Sequence, residues 1–313
     1  MMDDGSDDTL KGLGFAFGAV LIWCGFIGVS RVGGLSPLHA NDVIAIRYLT
    51  CTIVVLPLWW FRYRFNLLQV RFFVLSLVGG LGYAVLTFRG FSQVPASHAA
   101  LLLPGLLPLF TTLTCFAVNG EQITVARSTG ILLISLGVGC LFLPLWMGLG
   151  ELSGGHLSLM GGAFCWALFT ALVKRWDVTP WQATVSLAVI TCGVYWPTYQ
   201  LFLTRTISLE SFSSLWMPHI ALQSFYQGVL ATVVQMLLFV RAVQLLGPTR
   251  MGSIMGAVPL MAGFLGVILF NEPIHLGLIL GLLLVSFGAW VSHSRWVEVR
   301  LNWSGGKRKK FEQ

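Results

Sequence analysis

The sequence predicts an all-α membrane protein of about ten transmembrane helices, built as two inverted five-helix repeats. Three observations carry that prediction: long uncharged blocks, a one-sided distribution of basic residues, and two halves that match at a fixed offset. Of 313 residues, 56% are hydrophobic and only 10% charged, whereas a soluble domain carries roughly a quarter charged residues. A soluble chain of this composition would lack the polar residues to cover its surface. Residues 72–86, 99–119, 128–150 and 251–271 hold no charge at all. Such blocks approach or exceed the ~18–20 residues that span a ~30 Å hydrocarbon layer as a helix. Lipid offers the backbone no hydrogen bonds, so these segments must be helical. Strands of a membrane barrel would be about half as long and would alternate in polarity, which these blocks do not.

Taken in order, the apolar runs predict helices over 12–30, 43–61, 72–91, 97–118, 126–147, 156–174, 181–203, 219–243, 248–270 and 273–294. The leader 1–11 carries Asp3, Asp4, Asp7 and Asp8 and lacks the basic start of a signal peptide, so the first run reads as a retained helix. Turn-forming residues separate the later runs, as in Gly33-Gly34-Leu35-Ser36-Pro37, Asn119-Gly120-Glu121 and Gly247-Pro248-Thr249. The chain then divides into an acidic leader (1–11), a first repeat (12–147), a second repeat (156–294) and a basic tail (295–313).

With both termini placed in the cytoplasm, fifteen of the nineteen Lys and Arg residues collect on the inner side, from Lys11 and Arg62 to Lys307, Arg308, Lys309 and Lys310. Arg31, Arg89 and Arg205 fall outside and Arg47 within a span. That bias sets the orientation and requires an even number of spans. It also accounts for the net charge of +7 without nucleic acid: the tail reads as a topology signal and a lipid-headgroup contact. The six cysteines lie inside apolar blocks with no CxxC pair and read as small core residues, so neither a metal nor a cofactor is expected.

At an offset of 151 residues Pro108 falls on Pro259, Glu121 on Glu272, Gln93 on Gln244, and Gly130 to Gly137 on Gly281 to Gly288. A second offset of 143 puts Trp23 on Trp166, Gly18 on Gly161 and Phe26 on Phe169. Each half holds five spans, an odd number, so the second half enters the membrane upside down. Glu121 then sits at an inner turn and Glu272 at an outer one. Inverted repeats give inward-open and outward-open states of similar energy, the arrangement of secondary transporters. No Ser–His pair, HExxH helix or Asp-rich motif stands at membrane depth, so the sequence does not read as an enzyme.

With its five-plus-five layout, the run Ala-Leu-Leu-Leu-Pro104 on to Pro108, the turn glutamates of Asn-Gly-Glu121-Gln-Ile-Thr and Phe-Asn-Glu272-Pro-Ile-His, Tyr226-Gln227-Gly228 and Trp23, the sequence resembles the EamA type of the drug/metabolite transporter superfamily, from about residue 12 to 293. The resemblance implies a bacterial inner-membrane protein that moves amino acids, other metabolites or toxic compounds, more often outward than inward. Arg47 in the second helix fits family members, although the seventh helix carries no basic counterpart.

Several side chains are candidates for solute binding. Trp23 and Trp166 lie near mid-span at matching places in the repeat, away from the interfacial depth tryptophan prefers. They read either as cavity walls that stack on an organic solute or as helix packing. Arg47 is the one charge within a span, and Arg at a helix centre costs about 2.5–3.5 kcal/mol. It is either tied to nearby Asp42 or backbone, or held for a solute carboxylate. Tyr83 and His98 cluster around the third and fourth helices, His98 at their outer end. Tyr226, Gln227 and Gln235 lie on the eighth, and the two glutamines, eight residues apart, are predicted to share its cavity face. Glu121 and Glu272 precede helices, where a carboxylate favours the positive dipole end. Pro104, Pro108 and Pro259 fall inside spans and are predicted to bend them. All twelve Asp and Glu residues fall outside the spans or at their ends. Lipophilic cations are therefore expected to be poor substrates, and neutral, zwitterionic or carboxylate-bearing solutes better ones. The alternative is a flippase component for lipid or lipid-linked headgroups of similar layout. A proton is a candidate coupling ion through His98 or the turn glutamates, and the protein reads as a monomer or homodimer.

Overall fold

The computed structural model describes residues 4–62, 64–147, 152–203, 217–246 and 248–293, and the expected tail 295–313 lies outside them. All regular structure among the described residues is helical. Ten helices follow one another: α1 (Asp4–Leu35), α2 (Ala40–Phe61), α3 (Val70–Gln93), α4 (Ala96–Asn119) and α5 (Val125–Leu141) form the first repeat. The second comprises α6 (Gly154–Arg175), α7 (Pro180–Phe202), α8 (Met217–Leu246), α9 in two pieces (Pro248–Met255 and Val258–Phe270) and α10 (Leu276–Ser292). Helices α1–α4, α6, α8 and α9 are long and apolar enough to cross a membrane, while α5 and α10 are shorter apolar helices of 17 residues each.

Most helix ends lie within three residues of the expectation, and three helices depart further from it. Helix α1 starts at Asp4 rather than residue 12, so the described part of the acidic leader is its first turns, and it continues past residue 30 through the expected turn residues Gly33-Gly34 to Leu35. Helix α5 stops at Leu141 rather than 147, two residues before a short helical turn, Leu143–Trp146, that contains Pro144. In a continuing helix Pro144 would lack an N–H for the carbonyl four residues back and its ring would clash with that carbonyl. Helix α9 breaks at Gly256–Ala257, and Pro259 becomes the second residue of the following piece. There its missing N–H costs no helical bond, so Pro259 starts a helix instead of bending one. Pro104 and Pro108 do lie inside a continuous α4.

Most packing runs between the repeats, and the pattern maps onto itself when each helix is exchanged for its repeat mate. Helices α5 and α10 pack together, as do α4 and α9, and α2 and α7. Helix α1 lies on α8 and α9, and its mate α6 lies on α3 and α4. The repeats are thus interlocked around a pseudo-two-fold axis rather than set side by side. The axis crossing explains the matched glycines of the sequence. A Cβ on Gly130 would meet the Gly288 carbonyl oxygen at 2.6 Å, and one on Gly288 the Gly130 oxygen at 2.8 Å. Gly137 and Gly281 stand in the same reciprocal relation, at 2.9 and 2.8 Å. Membrane helices lack a hydrophobic drive to associate and rely on such close backbone approach. Gly281→Leu is therefore expected to prevent stable folding, because the obstacle is backbone and cannot rotate away, with a cost above the ~1–3 kcal/mol of ordinary overpacking. The yield of monodisperse protein after detergent extraction, compared with that of Gly139→Leu, measures it. A Cβ at Gly139 meets nothing within 4 Å.

The third helix of each repeat is locally under-wound. A π-helical segment occupies Ser76–Gly82 in α3 and Ser224–Val234 in α8. Segments of this kind concentrate at functional sites. Each contacts the other repeat: Ser76 donates to the Ser186 carbonyl of α7 at 2.9 Å, and Gln227 donates to Ser30 of α1 at 2.9 Å, while Tyr48 of the same repeat donates to the Gly80 carbonyl at 2.9 Å. In α8, Thr232 donates to the Gln227 carbonyl at 2.7 Å, five residues back.

Candidate functional site

Where α1, α2, α3 and α8 meet, the structure buries a cation. Arg47 is 8% exposed and donates from Nη1 to Gln227 Oε1 at 3.1 Å. Gln227, 0% exposed, donates in turn from Nε2 to Ser30 Oγ at 2.9 Å. The guanidinium carbon lies 5.5 Å from the Phe26 ring centroid, 5.9 Å from Tyr48 and 6.0 Å from Phe88. The Nε–H of Arg47 is buried without a hydrogen-bond partner, and no carboxylate appears among its described contacts. The described hydrogen bonds of the Asp42 carboxylate lie elsewhere: it accepts from the His39 N–H at 2.7 Å and from the Tyr199 hydroxyl, at the start of α2. The expected alternative of an Arg47–Asp42 tie is thus replaced by the Arg47–Gln227–Ser30 chain across three helices. Burial of a lone ion costs several kcal/mol. A cation–π contact returns ~0.5–2 kcal/mol and a hydrogen bond to a charged group ~1.5–3. The site is electrostatically unfinished and suited to an anion.

The other candidates divide. Tyr83 is buried against Trp166, centroids 4.9 Å apart, and Trp166 continues onto Phe169 at 5.1 Å. Trp23 packs at 6.2 Å against Phe26, the ring beneath Arg47. The two tryptophans thus belong to two aromatic groups that pack against the same buried core, and both are partly exposed. Tyr226 closes the α1–α8 seam through its hydroxyl, which donates to the Ile22 carbonyl at 3.1 Å. Gln227 and Gln235 do not share one environment: Gln227 is fully buried and Gln235 partly exposed. The π-helical segment holds more residues per turn than an α-helix, so eight residues no longer complete two turns. His98 lies away from Arg47 at the end of the bundle, where its ring neighbours are His156 and His275. The residues around the Arg47–Gln227 pair, Phe26, Ser30 and Phe88, were not singled out from sequence as site residues. Phe26 had a signal, its match to Phe169; the others had none.

The two ends of the bundle differ. At one, α1 and α3 are in contact: Phe26 lies 6.5 Å from Phe88 and 5.9 Å from Phe91, and Arg31 donates to the Phe91 carbonyl at 2.8 Å. Glu272 closes the same end by accepting from the N–H groups of Ala96 and Ser97, at 2.5 and 2.8 Å, the first two residues of α4. It caps a helix of the other repeat, not the α10 it precedes. At the other end the mates of α1 and α3, helices α6 and α8, make no comparable contact among the described residues. The α8 residues 229–240 are without exception partly or fully exposed. There Glu121, the mate of Glu272, binds Lys174 at 2.7 Å and Arg127 at 3.2 Å and holds no helix terminus. The structure is closed at the Glu272 end and parted at the Glu121 end.

The Lys174 hydrogen bond, reinforced by Arg127, holds the Glu121 carboxyl below the usual carboxylate range. A depressed folded-state value stabilises the fold above the ordinary carboxylate range, and that contribution is lost as pH falls through the depressed value. Lys174 is 63% exposed, so solvent screens the pair and its worth is about 0–1 kcal/mol. Glu121→Gln is expected to shift thermal stability at neutral pH very little and to flatten its dependence on acid, as thermal unfolding across a pH series will measure.

The model of the EamA-like transporter family matches residues 10–143 and again 153–293, the two structural repeats. An uncharacterized transporter, YyaM, of Bacillus subtilis (strain 168) is 26% identical over 227 residues, covering 70% of this chain and 71% of its own. A solved crystal structure superimposes with a TM-score of 0.60 over 95% of this chain and 99% of its own, at 19% identity, a likeness in fold alone.

Proposed function

Because the chain belongs to the EamA-like transporter family, we propose that it carries small organic metabolites with a carboxylate group, amino acids and related neutral or zwitterionic solutes, across the inner membrane by alternating access. The observation that carries the substrate class is Arg47, buried among Phe26, Tyr48 and Phe88 with an unsatisfied N–H. A solute carboxylate would complete its hydrogen bonds, and the Trp23–Phe26 and Tyr83–Trp166 rings offer apolar surface to the rest of the molecule. The interlocked inverted repeats and the unequal ends support alternating access. The positive-inside bias favours a cytoplasmic position for both termini and hence for the Glu121 end. In that orientation the parted end loads from the cytoplasm, which supports export.

Counterflow in proteoliposomes tests the reading. Vesicles preloaded with a mixture of unlabelled amino acids should accumulate members of the radiolabelled mixture saturably, and excess lipophilic cation should not compete. Translocation of a labelled phospholipid without amino-acid counterflow would replace this reading with that of a flippase.

A further inference from the structure

At the closed end, three histidines from three helices come together next to Glu272. His98 is the third residue of α4, His156 the third of α6, and His275 the residue that caps α10. Ring centroids are 5.4 Å apart for His98–His156 and 6.2 Å for His98–His275, and Phe142 covers His156 at 5.7 Å. His98 Nδ1 stands 3.1 Å from His156 Nε2.

The hydrogen bonds fix where each proton sits. The Ser153 backbone N–H can only donate, and it donates to His156 Nδ1 at 3.2 Å. The ring proton of His156 is then on Nε2 and points at His98 Nδ1, which must accept. The proton of His98 is thereby left on Nε2. His275 Nδ1 accepts from the Leu278 N–H at 3.1 Å, so its proton is also on Nε2. An imidazolium carries protons on both nitrogens and accepts no hydrogen bond. Any added proton must therefore go to a nitrogen already in use. On His98 it sets donor against donor and breaks the α4–α6 link. On His156 it removes the acceptor that orders the start of α6, and on His275 the N-cap of α10. Added charge also meets its neighbours: the electrostatic partners of His98 among the described residues are the other two histidines. The nearby charges are Glu272, from the turn before α10, and Arg31 of α1, which interacts with it.

We propose that His98, His156 and His275 form a proton-binding site that is empty while this end is closed and fills as it opens. Opening separates the rings and frees the Nδ1 positions, so the opened form has the higher proton affinity. By linkage, acid favours opening at this end and neutral or alkaline pH favours closure. The site lies apart from Arg47, so the proton acts on the gate and does not compete for the solute position. This inference rests on the alternating-access reading above.

The test uses the full chain in nanodiscs, with the native cysteines replaced and one cysteine placed at Ser97→Cys. Ser97 is 1% exposed beside Glu272, and its hydroxyl has no partner, so the change disturbs little. Its rate of reaction with a membrane-impermeant thiol reagent, corrected for thiolate content with a free-cysteine peptide, reports opening. We expect the corrected rate to rise between about pH 8 and about pH 5 by at least ~10-fold, the change one linked proton produces over a single pH unit. In His98→Asn the slope should collapse. His275→Asn should retain the cap, since asparagine caps helices well, and reduce the slope. A pH-independent rate in the parent, or an unchanged slope in both variants, would overturn the proposal. Saturable amino-acid counterflow with a flat pH response would reject the proton site and leave the transport reading standing. A proton-dependent rate without amino-acid counterflow would do the reverse.

Discussion

Arg47→Gln should raise the half-saturating concentration of carboxylate solutes by about 10- to 100-fold while leaving the protein at least as stable. The affinity loss follows from removing a charge-assisted hydrogen bond to the solute, ~1.5–3 kcal/mol, where ~1.36 kcal/mol is a factor of ten. The stability expectation follows from the opposite ledger in the empty protein. Arg47 is buried with one donor unsatisfied and only Gln227 and three aromatic faces in compensation, so deleting its charge removes a desolvation penalty. Arg47→Lys keeps the charge but loses the planar fork and its stacking, and should fall between. Counterflow kinetics and thermal unfolding of the same preparations measure both quantities. A variant with wild-type half-saturation and reduced stability would make Arg47 a structural residue.

Glu272→Gln should release the closed end. The carboxylate holds two N–H groups of α4, each a charge-assisted bond at a helix N-terminus, where negative charge adds ~0.3–1 kcal/mol. Glutamine presents a single acceptor oxygen and no charge. A loss of about 1.4–2.8 kcal/mol shifts the closed–open balance by about 10- to 100-fold. The Ser97→Cys reaction rate should rise by that factor. Glu121→Gln should barely change it, because Glu121 binds exposed cations at the opposite end. Equal effects of the two substitutions would show that Glu272 is not a latch.

Composition and repeat arithmetic carried the fold far. The long, non-alternating uncharged blocks made the fold class legible, since backbone groups in lipid must be satisfied within the segment. The match of Gly130 and Gly137 to Gly281 and Gly288 located the axis crossing, because only glycine permits that backbone contact and the repeat enforces it twice. The acidic leader misled, since charged residues can extend a helix beyond the apolar layer. Pro259 misled for a related reason: a proline in an apolar run marks a helix start as readily as a bend. The site was legible only in part. Arg47 and Gln227 stand out because buried polar groups are costly. Their direct bond did not, because residues 180 apart in sequence are brought together by the interlocking of repeats. The π-helical segments leave no periodic signature, so the Gln227–Gln235 face argument failed inside one. His156 and His275 look like ordinary helix starts until α4 delivers His98 between them.

Alternating access requires two ends that open in turn around one site. Thiol reactivity in the same vesicles tests it, with Ser97→Cys reporting the Glu272 end and Gln235→Cys the Glu121 end. Amino-acid gradients and pH steps supply the perturbation. Every condition that raises reactivity at one position should lower it at the other. Reactivities that rise and fall together during saturable transport, or a Ser97→Cys that never reacts while transport proceeds, would contradict it.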